Sequence, residues 1–187
     1  MNADLIKYLK MNIALNDELI QKLTSKFERR ELKPNRFLIK KGQIADSYYF
    51  IESGFLRSYY TDNHKEHTVW IEAPGELTVE IKSLRLQIPT DYNIIAIEPV
   101  VYYAIKANDL EILIHEYKPV QDFMHRLWET RFIIAMDALR AFQTLDAKER
   151  YRYLLKNFPN FEKLPQHQLA NILGITQYSL SRIRRQK

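Results

Sequence analysis

The chain contains no cysteine. That removes disulfides, thiolate catalysis, cysteine-ligated zinc and iron–sulfur clusters as explanations of what it does, and it suits a reducing compartment. No apolar run approaches the roughly 18 residues that a membrane span needs. Met1-Asn2-Ala3-Asp4 opens a polar, mixed-charge stretch rather than a signal peptide. A cytoplasmic chain with no membrane partner is therefore expected. Glycine is scarce too. Gly42, Gly54, Gly75 and Gly174 are the only four, so each is expected where the backbone requires one. There is no P-loop, dinucleotide fingerprint or nucleophile elbow, and no internal repeat or low-complexity segment.

What is present supports a real core, since 46% of the 187 residues are hydrophobic. Charge is unevenly placed. Residues 146–187 carry nine Lys or Arg against three acids, a net of +6, while the first 145 residues sum to −1. A small basic domain on a near-neutral body points to a polyanionic partner.

The chain reads as three regions: 1–118, 119–145 and 146–187. In the first, Leu5, Ile6, Leu9 and Met11 suit one short helix, and Leu19, Ile20 and Leu23 another. Residues 36–60 are rich in aromatic and β-branched types, Thr61-Asp62-Asn63-His64 reads as a hairpin turn, and Val69-Trp70-Ile71, Asn93–Ile97 and Val100–Ile105 continue the strands. Short strands with frequent turns predict a β-sandwich or β-roll. Asp109 is expected to cap a short helix. Pro119 then opens a long helix to about Gln143 with apolar residues at spacings of three and four. That helix is greasy on two sides, as expected of one that packs on its own body and against a second copy of the chain, or of one wholly buried in a core. Asp146 and Glu149 form a capping-box pattern for the next helix.

From Leu164 to Arg185 the spacing predicts a helix-turn-helix. Ala170 is the small residue where two helices cross, and Gly174 is the turn residue four positions later. Leu169, Leu173, Ile175, Leu180 and Ile183 are the inward positions, and Thr176 is placed to cap the second helix. At 100° per residue, Tyr178, Ser181, Arg182 and Arg185 face away from Leu180 and Ile183, with Gln177 and Arg184 on the flanks. This face is polar, basic and free of carboxylates, as a helix entering the major groove must be. Thr176, Gln177, Tyr178, Ser181, Arg182, Arg184 and Arg185 are the candidate DNA-binding residues.

The chain resembles the Crp/Fnr family, the cyclic-AMP-receptor-like bacterial regulators, and within it the short members found in Bacteroidetes-type bacteria. The resemblance runs from about Phe27. It is carried by Lys41-Gly42-Gln43, by Tyr49 to Arg57, by Pro74-Gly75-Glu76-Leu77, by Leu145-Asp146-Ala147 and by Ser179 to Arg185. It implies an α+β fold with a cyclic-nucleotide-binding-type β-roll, a long dimerisation helix and a small winged-type helix-turn-helix domain. The implied function is transcription regulation by a homodimer, paired through residues 119–143, on an imperfect palindrome of double-stranded DNA. RNA polymerase is a further candidate partner. The resemblance also matches Gln177, Tyr178 and Arg182 to positions that touch bases in relatives. In members that bind cyclic AMP, a Gly-Glu…Arg-Ser cassette holds the phosphate. Here Glu80 matches the ribose-binding Glu, but Val79 stands for the Gly, Thr90 for the Arg and Asp91 for the Ser. Ala135 and Met136 fall where hydroxyls would meet the base. Glu80, Arg85, Thr90 and Asp91 are thus a candidate effector pocket, with Arg85 as a substitute cation. Strong binding of a cyclic nucleotide is not expected, and no cofactor is implied.

Two other readings compete. A β-roll resembles a metal-binding cupin, with His64, Glu66 and His67 close together and His115, His125 and His167 elsewhere. No strand-borne His-x-His with a later His accompanies them, so neither enzymatic activity nor a metal is expected. The alternative is a ligand-sensing β-roll protein without direct DNA binding, against which the face of Tyr178, Arg182 and Arg185 argues.

Overall fold

The computed structural model of the chain describes residues 3–14 and 16–185. Two short helices, α1 (Ala3–Asn12) and α2 (Asp17–Ser25), come first. Asn16 caps α2 by accepting from Leu19 N, and Leu5, Leu9, Leu19 and Leu23 enter the main core. Met11, read from sequence as part of the inward set, is instead exposed.

Eight strands follow in two antiparallel four-stranded sheets. One has the order β1 (Glu28–Leu32), β8 (Val100–Lys106), β3 (Ser47–Ser53), β6 (Leu77–Thr78). The other has the order β2 (Phe37–Ile39), β7 (Asn93–Ala96), β4 (Leu56–Asp62), β5 (Lys65–Glu72). Tyr48, Phe50, Ile51 and Ile105 from the first sheet share one core with Ile39, Leu56, Ile94 and Ala96 from the second, which makes the pair a closed roll. Asn63 and His64 both take positive φ at the β4–β5 turn, the conformation a two-residue hairpin needs. Gly54 is irreplaceable between β3 and β4, because a Cβ there would lie 2.3 Å from the Pro99 carbonyl oxygen.

Four elements escape the sequence pattern, among them the two-residue strand β6. β1 is almost entirely charged, α3 (Ile81–Leu86) is a single short helix, and Pro159–Lys163 forms a 3-10 turn. One cap is also corrected. α4 (Ala107–Glu116) begins at Ala107 without a side-chain cap, and Asp109 lies in its first turn, where it pairs with Lys26 at 2.8 Å.

The long helix α5 (Lys118–Thr144) carries Pro119 in its first turn, where the missing N–H costs nothing. Its two halves differ. Val120, Phe123 and Met124 are buried in the roll, whereas Phe132, Ile133, Met136 and Leu139 are exposed, Phe132 by 67% and Ile133 by 60%. After the break at Leu145 come α6 (Ala147–Asn157), the 3-10 turn, α7 (Gln166–Leu173) and α8 (Gln177–Arg185). α6 starts with a complete capping box between Asp146 and Glu149. Among the described residues no strand, and so no wing, follows α5. No helix among them is long and apolar enough to cross a membrane.

Candidate nucleic-acid interface and effector cavity

The turn between α7 and α8 is built from local chemistry. Gly174 takes φ +68° and ends α7, its N–H donating to the Asn171 carbonyl at 3.1 Å, and Ile175 N–H returns to the Ala170 carbonyl at 3.1 Å. Such a left-handed C-terminal residue is where glycine is favoured. Thr176 then accepts from Ser179 N–H at 3.1 Å and so caps α8. Leu169, Ala170, Leu173 and Leu180 are buried together, with Ile175 and Ile183 packed against them. Gln166 ties the two helices by donating to the Gln177 carbonyl at 3.1 Å.

This packing fixes what α8 presents. Tyr178 is 79% exposed, and Thr176, Gln177, Arg182 and Arg185 are exposed beside it, with Ser181 half-buried. Arg184 leans inward, its Nε donating to the Tyr151 hydroxyl at 3.3 Å with the guanidinium 5.9 Å from that ring. No carboxylate lies on α8. The helix therefore offers a rigid strip of donors with no acid of its own to neutralise it.

The C-terminal helices do not stand apart from the roll. Their core continues into Phe55, Ile71 and Ala73, and Trp70 of β5 meets Phe158 edge-on at 5.0 Å and Phe161 at 6.1 Å. The sequence shows each of these aromatics without showing that they meet. The signal that could have found them is Phe158-Pro159-Asn160-Phe161, two large apolar residues bracketing a helix end that a small three-helix domain has no room to bury alone.

Each of the four residues read as an effector pocket has partners within the roll or beside it. Glu80 is buried and caps α3 by accepting from Ser83 N–H at 2.8 Å. Thr90 is buried, exchanges backbone hydrogen bonds with Gly42 and Gln43, and its hydroxyl accepts from Tyr92 N–H at 3.1 Å. Asp91 is exposed and faces Lys82 at 3.4 Å. Arg85 pairs with Glu111 and reaches the Tyr48 hydroxyl at 3.3 Å.

A cavity of about 200 Å³ opens between the roll and α5, and Val79 and Ala135, which the family resemblance sets at the nucleotide site, both line it. Tyr48, Trp70, Glu72, Trp128, Arg131 and Ala135 are among the residues that wall it, and none of the four above does so. Burial pushes the Glu72 carboxyl up to about 7. Glu76 adds to the rise, and Arg131 and the hydroxyls of Thr78 and Ser58 oppose it. Glu76 is raised as well, chiefly by burial. Arg131 is already engaged, with Glu76 Oε2 3.3 Å from both Nη1 and Nη2 and the Leu77 carbonyl 3.2 Å from Nη2.

The histidines do not gather. His64 sits in the hairpin turn, and Glu66 is paired with Arg57 at 2.6 Å. His67 lies in β5 and stacks on Tyr60 at 5.1 Å. Among the described residues no group of three His, Cys, Asp or Glu is placed to hold a metal ion.

The described residues form a roll of two four-stranded sheets, joined through a long helix to a bundle of short helices that ends in the tight α7–α8 turn. Residues 29–117 match the family model of the cyclic nucleotide-binding domain. Among solved structures the chain is similar to FixK2 from Bradyrhizobium japonicum, with TM-score 0.72 and 16% identity over 86% of this chain and 83% of that one. It is similar to the catabolite activator protein of Thermus thermophilus, with TM-score 0.58 and 23% identity over 92% and 83%. It is also similar to a protein from Eubacterium rectale described as a transcriptional regulator of the Crp/Fnr family, with TM-score 0.68 and 20% identity over 96% and 86%. No curated protein matches the sequence. The chain carries a cyclic nucleotide-binding domain in the fold of the Crp/Fnr regulators.

Proposed function

We propose that the chain is a DNA-binding transcription regulator of the Crp/Fnr type that binds an imperfect palindrome as a homodimer. The observation that carries this reading is the outward face of α8, where Tyr178, Gln177, Arg182 and Arg185 are exposed on a helix without a carboxylate. Arg182 is suited to a guanine edge, Gln177 to adenine, and Thr176, Ser181 and Arg185 to the flanking phosphates.

The exposed strip of Phe132, Ile133, Met136 and Leu139 on α5 supports pairing through residues 119–143. Pairing removes an apolar patch of a kind that monomers rarely leave open, and it sets two copies of α8 at the spacing of successive major grooves, roughly 34–36 Å. The sensor domain does not hold a cyclic nucleotide tightly. Thr90 offers no cation where the family resemblance places one, and Asp91 beside it opposes a phosphate.

Binding of fluorescent upstream-region fragments, measured across a salt series, tests the reading. A DNA reader loses affinity linearly on a log–log plot as phosphate counterions are exchanged, and one fragment outlasts random DNA. Salt-independent or absent binding would overturn it.

A further inference from the structure

We propose that the cavity between the roll and α5 is a receptor for a small organic cation. The ligand is an aralkyl amine of about one ring, whose ammonium meets the Glu72 carboxylate and whose apolar part lies against Tyr48, Trp70 and Trp128. The proposal deepens the sensor half of the reading above and rests on it only for what binding does to the DNA-binding helices.

Size comes first. About 200 Å³ is below the roughly 300–1,000 Å³ of ordinary ligand pockets, so the part of a ligand held between the roll and α5 is about a single ring with a short arm. Wall chemistry comes next. Two indoles and a phenol around one carboxylate is the arrangement that attracts ammonium groups, since ring faces are negative and the acid completes the charge. Charge balance decides the sign. The one cation in the wall, Arg131, is neutralised by Glu76 and the Leu77 carbonyl, which leaves Glu72 without a cation of its own. Ser58 Oγ approaches the Glu72 carboxyl only at a long 3.5 Å, with the Thr78 hydroxyl also nearby. An anionic ligand would bring a second negative charge beside Glu72, whereas an ammonium supplies the missing positive one.

Burial disfavours the charge on Glu72 and raises its carboxyl, so that the protonated form is favoured more than at the surface. An arriving ammonium stabilises the carboxylate, and the displaced proton goes to solvent. The neighbours that set this balance are Glu76 from the β5–β6 turn, Arg131 from α5 and the hydroxyls of Ser58 and Thr78 from the sheets.

The location also supplies a consequence. Trp70 walls the cavity and touches Phe158 and Phe161. A ligand that shifts this indole therefore acts directly on the aromatic seam between the roll and the C-terminal helices.

The test uses the chain's own fluorescence, because its two tryptophans, Trp70 and Trp128, both wall the cavity. The full-length protein, without DNA, is titrated with benzylamine, benzyl alcohol, benzoate and cyclic AMP. The expected result is a saturable change with benzylamine at a Kd roughly tenfold or more below the other three, as a charged hydrogen bond implies. Glu72→Gln should weaken benzylamine by about that factor and leave benzyl alcohol unchanged. Equal binding of amine and alcohol, tighter binding of either anion, or no saturable response to any of the four would overturn the proposal. Since no DNA is present, a failure of the DNA-binding reading does not enter these outcomes.

Discussion

β1 and α8 are both exposed, both short and both rich in arginine, yet they use charge in opposite ways. In β1, alternate residues share a face, so Arg29 meets Glu31 at 2.7 Å and Arg30 meets Glu28 at 2.6 Å. The strand neutralises itself. It is also the edge of its sheet, where charged side chains discourage pairing with another chain's strand. In α8 the arginines have no acid within their own helix, and neither Arg182 nor Arg185 enters an ion pair among those formed by the described residues. A count of Lys and Arg does not distinguish the two elements, whereas segregation of sign does. A self-neutralised surface needs no partner, and a one-signed rigid helix is suited to a polyanion.

The comparison breaks most severely if α8 loses its anchor. Leu180 is fully buried against Leu169 and Leu173. Leu180→Ala should cost about 2–5 kcal/mol of stability, read as a lowered thermal midpoint, and should abolish DNA binding without changing any charge. Next in size is charge held inside the molecule. Folding lifts the Glu72 carboxyl from 4.5 to about 7, so between those values the folded chain keeps a proton that the unfolded chain has released. The Glu72 contribution to stability is therefore greatest below about 4.5, falls as pH rises toward 7 and levels off above it, whereas Asp46 and Asp122, whose carboxyls are lowered on folding, contribute stability that is lost in acid. The loss at Glu72 is about 3 kcal/mol. Denaturant melts at successive pH values should show this slope in the native chain and a flatter one in Glu72→Gln. Arg182→Ala follows, at roughly 1–3 kcal/mol of specific binding with relaxed base preference. Equal losses on specific and random DNA would deny it a reading role. Thr176→Ala removes the α8 cap and should cost about 1 kcal/mol of stability, with α8 fraying first in hydrogen exchange.

The legibility of these elements divides along physical lines. The α7–α8 turn is readable because each constraint is local. Gly174 must allow positive φ, Thr176 must reach Ser179 N–H, and Leu180 must fall on the buried side. The β4–β5 hairpin and the α6 capping box are readable for the same reason. β1 is invisible to a hydrophobic pattern because its partner β8 supplies the apolar face, and its own residues Glu28-Arg29-Arg30-Glu31 carry none. The cavity is missed for a different reason. Its wall joins Tyr48, Glu72, Trp128 and Arg131 from three distant elements, and no sequence spacing brings a strand and a helix that far apart together. Glu80, Arg85, Thr90 and Asp91 sit close in sequence around α3, where they find partners in caps, ion pairs and turns.

The smallest expected effect is the most discriminating. Arg29→Ala with Arg30→Ala removes two positive charges from β1, the same number that Arg182→Ala with Arg185→Ala removes from α8. If long-range net charge drew the chain to DNA, the two double variants would weaken binding alike. In β1 each arginine is about half exposed and sits against its own glutamate, so its field is already cancelled at short range and screened beyond a Debye length of roughly 8 Å. The β1 variant should leave stability almost unchanged, as exposed ion pairs contribute little, and leave DNA affinity and its salt slope within about twofold of the native chain. The α8 variant should lower the salt slope by nearly one unit for each phosphate it no longer neutralises. A β1 variant that flattened the salt slope as much as the α8 variant would show that the site is a diffuse basic field, and sign segregation on α8 would no longer explain the binding.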